Sequence, residues 1–451
     1  MSLNSSLNSL SPIDGRYRKF SEVLAPYFSE RALMRHRIIV EGEYLIALSE
    51  ARGVNLRRLS TKEKKFIRGL YNLKEKDAER ISELEKTTDH DVKALEYYMK
   101  EKLTRTSLKD VSEWLHFALT SEDTNNIAYA LMLSESLEKV MVAKIEEIAK
   151  VLNNLAKRYK SLPMLARTHG QPASPTTFGK EMKVFAGRLE KQLSVLRNTK
   201  IEAKLNGATG NWNAHVIAYP KVNWIKFSEN FIRKLKLEPN SITTQIESHD
   251  SYIAVFDTLR RINTILIGFN QDIWRYISDD WIGQTSIGSV GSSTMPHKIN
   301  PIKFENSEGN LGVANALFEF FARKLPISRL QRDLSDSTVE RNFGVAFSHS
   351  LIAYEYLLKG LSTIKVNEKK VKEDLNNHPE VIAEAIQTIL RREGARMPYE
   401  ELKALTRGKK VTLEDFRKFI DNLDVSEKVK KELRKITPAN YTGLASRLTS
   451  P

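Results

Sequence analysis

From Leu70 to Leu162 the chain contains neither glycine nor proline, a run of 93 residues without a helix breaker. Few chains other than helical ones tolerate that. The apolar residues agree in their spacing. Met141, Ile145, Ile148, Leu152 and Leu155 recur in steps of three and four, as do Met182, Phe185, Leu189, Leu193 and Leu196. The pattern returns in Leu259, Ile262, Leu266, Phe269, Ile273 and Ile277. Such stripes mark the buried faces of long amphipathic helices. Alternating strand patterns are almost absent, so the expected class is all-α, with a bundle of long helices at its centre.

The breakers gather in three places: Pro163 to Gly179, Gly207 to Pro220 and Gly283 to Pro301. Each lies between helical runs and reads as a loop at a bundle end. The chain of 451 residues then divides into an N-terminal helical region (1–110), a long-helix bundle (111–364) and a C-terminal region of shorter, basic helices (365–451). Cysteine is absent, which excludes disulfides, thiolate metal sites and a cysteine nucleophile, and fits a reducing compartment. Residues 1–12 carry no basic residue and no long apolar core, so they do not read as a signal peptide. No stretch approaches a membrane span, and a cytoplasmic location is expected. The net charge of +15 is either a solvated basic surface or the mark of an anionic partner.

Several polar segments interrupt the helices. Gly291 to Pro301 packs Ser292, Ser293, His297, Lys298 and Asn300 between glycines and prolines. Backbone N–H groups beside glycines, with Lys298 and Asn300, suit an anion. A serine used there as a base would have to act as an alkoxide stabilised by neighbouring positive charge. Arg167 to Pro172 sets His169 between Thr168 and Gly170 at a helix-to-loop junction, where an imidazole suits proton transfer. Thr88-Asp89-His90-Asp91 and Thr120-Ser121-Glu122-Asp123 have the composition of helix N-caps, and capping is the plainer reading of the second. His90-Asp91 and His249-Asp250 have the look of metal-ligand pairs, yet neither has further ligands at workable spacing, so no metal is expected. Arg332 and Arg341 flank Ser335 and Ser337 and suit bidentate binding of carboxylate or phosphate; a solvated charged turn is the alternative. Asp14 to Tyr17 reads as a turn carrying Arg16. No phosphate-binding glycine loop of the Walker or dinucleotide type is present.

Taken together, these segments carry a resemblance. Gly291-Ser-Ser-Thr-Met-Pro-His-Lys-Ile-Asn-Pro301 resembles the signature loop of the fumarase/aspartase/argininosuccinate lyase superfamily. Together with TTDHDV (87–92 region), TSEDTNN (120–126) and ARTHGQP (166–172), it resembles the adenylosuccinate lyases, in their longer bacterial branch. The match runs from SPIDGRY near the N-terminus to TPANY near the C-terminus; Asp89 departs from the asparagine expected before the histidine.

The resemblance implies a three-domain homotetramer with active sites shared between subunits. It implies cleavage of adenylosuccinate to AMP and fumarate, and of the succinyl-aminoimidazole carboxamide ribotide (SAICAR) earlier in purine biosynthesis, without metal or organic cofactor. It also implies roles: Ser292 as base, with Ser293 the adjacent alternative; His169 as acid; Lys298 and Asn300 on the succinyl carboxylate; Thr120, Ser121 and Gln245 on the succinyl part. Arg16, Tyr17, Arg332, Ser337 and Arg341 would hold the phosphate and ribose, and His90, between Asp89 and Asp91, would assist at the reacting centre. The competing readings are another lyase of the superfamily, such as argininosuccinate lyase, and a basic helical nucleic-acid-binding protein. The most basic stretch, 409–435, alternates with acids and argues against the latter.

Overall fold

A computed structural model describes residues 7–285, 295, 298–396, 398–408 and 410–449. In chain order its main elements begin with helices α1 (Glu30–Glu50), α2 (Glu75–Thr88), α3 (Asp91–Leu103), α4 (Ser121–Ser136) and α5 (Val142–Arg158). Strands β1 (Pro163–Thr168) and β2 (Gln171–Thr177) follow, then α6 (Phe178–Asn198), β3 (Glu202–Ala203), β4 (Glu238–Pro239) and α7 (Asp250–Ser278). Next come β5 (Ile282–Gln284), α8 (Ile302–Lys324), the short α9 (Ser335–Glu340), α10 (Phe343–Leu361) and β6 (Ile364–Val366). Past β6 the helices are short, from α11 (Glu368–Asn376) to α12 (Ala383–Arg392), α13 (Pro398–Thr406), α14 (Leu413–Asp421) and α15 (Glu427–Arg434). The predominantly helical class is as expected. None of these helices is long and apolar enough to cross a membrane.

The helical stripes face inward as their spacing predicts: Met141, Ile145, Ile148, Leu152, Met182, Leu189, Leu259, Ile262, Leu266, Phe269 and Ile273 are all buried. Burying each such side chain contributes roughly 1.5–3 kcal/mol before the entropy of ordering it is deducted. A single π-turn, Leu137–Met141, joins α4 to α5 without a break.

The breaker-free run is nevertheless not one helix. Asp89 ends α2 in the left-handed conformation, with φ of 48°, which aspartate tolerates better than most residues. His90 then caps α3, its Nδ1 accepting from the Lys93 N–H at 3.2 Å. A second interruption spans 104–120, where His116 and Ala118 also take positive φ.

Pro163 to Gly179 is likewise not a loop. β1 and β2 form an antiparallel hairpin, and Thr168 pairs directly with Gln171. Three prolines hide any alternation in this segment, and proline is confined to edges of ribbons such as this one. Gly283 lies not in a loop but in β5, which pairs antiparallel with β6; β3 and β4 pair in parallel.

The described residues form two compact units, each interleaving chain segments. One comprises Met1–Ile145, Gln192–Thr264 and Gly309–Glu355; the other Glu146–Lys191, Ile265–Glu308 and Tyr356–Pro451. In the first, Phe256, Phe318, Phe321, Phe343 and Phe347 stack and abut in one cluster, with centroids 5.0–6.4 Å apart. In the second, Phe185 meets Phe269 edge-on at 5.2 Å. Gly179 in this unit leaves no room for a side chain, since a Cβ would lie 2.4 Å from the Ala156 carbonyl oxygen.

Candidate active site

In the first unit, four separated segments meet through charge. Asp91, the first residue of α3, accepts from Arg37 Nη2 at 2.7 Å and from Arg341 Nη2 at 3.0 Å. Arg37 is buried in α1 and also donates from Nε to Asn125 Oδ1 of α4 at 2.9 Å. Arg341 reaches Glu30 Oε2 at 2.7 Å as well. Burial of Asp91 works upward on its pKa. The two guanidiniums and the Val92 N–H outweigh it and hold the carboxyl below its ordinary range. The TTDHDV segment, the TSEDTNN segment and the 332–341 segment are thus tied together.

His90 stands at this junction. Acceptance at Nδ1 leaves the proton of the neutral ring on Nε2, which points to Ser121 Oγ at 3.5 Å. Thr120 caps α4: its N–H donates to Asp123 Oδ2 at 3.0 Å, the capping read from the sequence. Asp123 also accepts from the N–H groups of Asn206 and Gly207 and pairs with Lys204 Nζ at 2.9 Å, both side chains fully buried. One carboxylate therefore fixes the Thr120–Ser121 turn against the 204–212 loop. Gly210 in that loop has φ of 81°, and a Cβ there would lie 2.1 Å from the Thr243 carbonyl oxygen.

Arg332 lines an open cavity of about 620 Å³ with Ala208, Thr209 and Gln245. Gln245 donates from Nε2 to the Ala208 carbonyl at 2.9 Å and accepts from Arg332 Nη1 at 3.3 Å. Arg329 and Arg332 bring two cations to a mixed lining that also holds Asp333, Leu330 and Leu334. Ser337 sits in α9, half-buried, with its N–H donating to Asp336 Oδ1 at 2.6 Å. Arg16 lies 5.9 Å from the centroid of the Tyr17 ring, at the start of the chain's first helical turns.

The remaining candidates belong to the second unit. His169 is not at a helix-to-loop junction. It occupies the tip of the β1–β2 hairpin, where His169 and Gly170 have φ of 53° and 76°. A two-residue loop with both residues at positive φ follows the right-handed twist of the strands and projects the imidazole outward. Its side chain is exposed. Lys298 is exposed and Asn300 half-buried, just before α8 begins at Ile302. Ser292, like Ser293 and His297, lies outside the described residues.

Sequence reasoning missed part of the first unit's machinery. Glu122, Asp336, Glu340 and His249 form a buried cluster around Arg332. His249 faces Glu340 Oε1 at 3.4 Å rather than joining Asp250 as a ligand pair. Among the described residues no group of three or more His, Asp or Glu side chains is arranged to hold a metal ion. The basic run Arg35-His36-Arg37, set directly against the apolar Ile38-Ile39-Val40, was the one available signal for Arg37.

Residues 15–315 match the lyase family, and residues 328–442 match the adenylosuccinate lyase C-terminal family. The chain is 50% identical over 448 residues to the adenylosuccinate lyase of Haemophilus influenzae, covering 98% of each chain. It is 50% identical over 451 residues to that of Dictyostelium discoideum, covering 97% of each, and 47% identical over 445 residues to that of Escherichia coli, covering 98% of each. In fold it is similar to a fumarate lyase from Mesorhizobium sp. BNC1, with a TM-score of 0.75 at 17% identity, covering 95% of this chain and 96% of that one. The 3-carboxy-cis,cis-muconate lactonizing enzyme of Pseudomonas putida is similar too, with a TM-score of 0.73 at 19% identity, covering 95% of each. On identity sustained over nearly its whole length, the chain belongs to the adenylosuccinate lyase family.

Proposed function

We propose that this chain is a carbon–nitrogen lyase that eliminates fumarate from adenylosuccinate, leaving AMP, and from SAICAR, leaving the corresponding carboxamide ribotide. The observation that carries this reading is the linkage of Asp91, Arg37, Asn125 and Arg341, which gathers the TTDHDV, TSEDTNN and 332–341 segments in one place. Both substrates present carboxylates and a phosphate, and cations at Arg332 and Arg341 match that chemistry.

The reaction removes a weakly acidic proton from the succinyl carbon beside a carboxylate. The carbon–nitrogen bond then breaks, its electron pair leaves with the nitrogen, and the carbon–carbon double bond of fumarate forms. Ser292 is the proposed base, His169 the proposed acid that protonates the departing nitrogen. Lys298 and Asn300 stabilise the carboxylate on which negative charge builds. Thr120, Ser121 and Gln245 orient the succinyl part. Arg16, Tyr17, Arg332, Ser337 and Arg341 hold the ribose and phosphate, and His90 presents its Nε2–H between Asp89 and Asp91. The exposed hairpin tip supports the role of His169, because an imidazole there is free to meet a substrate.

The same reading includes a homotetramer with active sites shared between subunits, acting in the cytoplasm, with no nucleic-acid or membrane partner. It also keeps the divisions at 110 and 364, and the change from long to short helices past β6 supports the second. The test is a substrate panel: fumarate release from adenylosuccinate and SAICAR is expected, and release from argininosuccinate alone would transfer the assignment to another lyase of the superfamily.

A further inference from the structure

Within the first unit a group of charges is sealed from water. Glu122, Asp336 and Glu340 are 1%, 4% and 3% exposed, and His249 is 1% exposed. They meet Arg332, whose Nη2 lies 3.0 Å from Glu122 Oε2 and 3.7 Å from Asp336 Oδ1. From its own helix, Glu122 receives only a long contact from Asn125 Nδ2, at 3.4 Å. Three carboxylates therefore share one permanent cation and one imidazole. Buried carboxylates in that ratio do not all stay ionised, because each unpaired charge forfeits its hydration. The hydrogen bonding agrees: Glu122 Oε1, Asp336 Oδ2 and Glu340 Oε1 are buried with no hydrogen-bond partner, and so is Arg332 Nε. Burial and the charge of Glu340 push Glu122 up to about 8 against the pull of Arg332. Burial also raises Glu340. For His249 burial works downward, but Glu340, with Glu247 and Glu122, brings a net rise.

Arg332 is shared between this cluster and the cavity it lines with Gln245. We propose that Glu122 is a positioning residue for Arg332: when the phosphate of a nucleotide binds, the guanidinium passes from Glu122 to that anion, and Glu122 takes one proton from solvent in exchange. A dianion beside Arg332 withdraws the cation that favours the Glu122 carboxylate and adds a like charge. Both effects favour the neutral acid. The inference rests on the nucleotide reading above.

The test is calorimetry of AMP binding to the purified protein at pH 8.5, in two buffers of different ionisation enthalpy. At that pH the AMP phosphate is already a dianion, with its second pKa near ~6. The wild type is expected to show binding enthalpies that differ between buffers, corresponding to uptake of up to about one proton per site. The uptake shrinks at pH 7, where Glu122 already holds its proton. Adenosine, which lacks the phosphate, and Glu122→Gln, which mimics the protonated acid, are each expected to bind with the same enthalpy in both buffers. Should Glu122→Gln fail to fold, the wild-type and adenosine arms decide alone. Buffer-independent AMP binding by the wild type, or undiminished uptake in a folded Glu122→Gln, overturns the exchange and leaves the nucleotide reading standing. Absence of AMP binding overturns both.

Discussion

Asp123 and Lys204 pair at 2.9 Å with both side chains fully excluded from solvent. Lys204 Nζ also donates to the Gly207 carbonyl at 2.8 Å, so the pair joins the Thr120–Ser121 turn to the loop that follows β3. Removing one partner of such a pair strands the other as an unpaired buried charge, at a cost of about 3–5 kcal/mol. Lys204→Met is expected to lower the thermal unfolding temperature clearly, and Asp123→Asn with Lys204→Met is expected to be less damaging than the two single effects added. A single variant as stable as the wild type would show that the pair does not organise this turn.

His215 gives the protein a specific acid sensitivity. The Tyr44 hydroxyl donates to the Phe117 carbonyl at 2.9 Å and so receives the Nε2–H of His215 at 3.0 Å. Nδ1 is buried with no partner. A proton placed there would be a charge without hydration, and burial accordingly pushes His215 down to about 4. The folded pKa lies below the unfolded value of 6.5, so stability is present above pH 6.5 and lost as pH falls through about 4. Between pH 7 and pH 5 the wild type should lose about 2 kcal/mol that His215→Asn does not lose. Urea unfolding at the two pH values measures this; equal losses in both proteins would refute it.

Arg332 and Arg341 are read as anion clamps. Truncating either to alanine removes a charge-assisted hydrogen bond to the substrate, which costs about 1.5–3 kcal/mol, or roughly 10- to 150-fold in binding. Because that bond is held in ground state and transition state alike, Arg332→Ala and Arg341→Ala should raise KM by that factor with kcat much less affected. Unchanged KM in both variants would leave the two arginines as structural ion-pair partners of Glu122, Asp336, Glu30 and Asp91.

Ser292 and His169 are expected to serve one site from different chains. Each alanine variant alone should lose about 10²–10⁴-fold in turnover. When Ser292→Ala and His169→Ala subunits are mixed, gently dissociated and reassembled, roughly a quarter of sites should regain both residues under random assembly. Demonstrated subunit exchange without recovered activity would refute the shared site. An active Ser292→Ala beside an inactive Ser293→Ala would move the base by one residue.

The long helices are legible in the sequence because their apolar spacing is the direct cause of their burial, as Leu259, Ile262, Leu266 and Phe269 show. The start of α4 at Thr120 is legible for a local reason: Thr, Ser and Asp are what a helix N-terminus requires, and Asp123 accepts from the Thr120 N–H. The β1–β2 hairpin is not, since Pro172 and Pro175 suppress the strand pattern that pairing then imposes. Nor is the role of Glu122. Its composition fits a helix N-terminus, and only the fold sets it against Arg332, Asp336 and Glu340. His249 and Asp250 suggest a pair because they adjoin in sequence, whereas Glu340, distant in sequence, is the partner of His249 in space. Asp89 departs from the expected asparagine, yet both residue types tolerate the left-handed backbone found there.

The proposed catalytic and substrate-binding side chains serve one reaction, the elimination of fumarate from adenylosuccinate. The decisive experiment incubates the purified protein with adenylosuccinate in excess chelator and quantifies both products. Fumarate and AMP should form in equal amounts, at the rate seen without chelator. No fumarate, or activity that vanishes with chelator and returns with a divalent metal, would overturn the assignment.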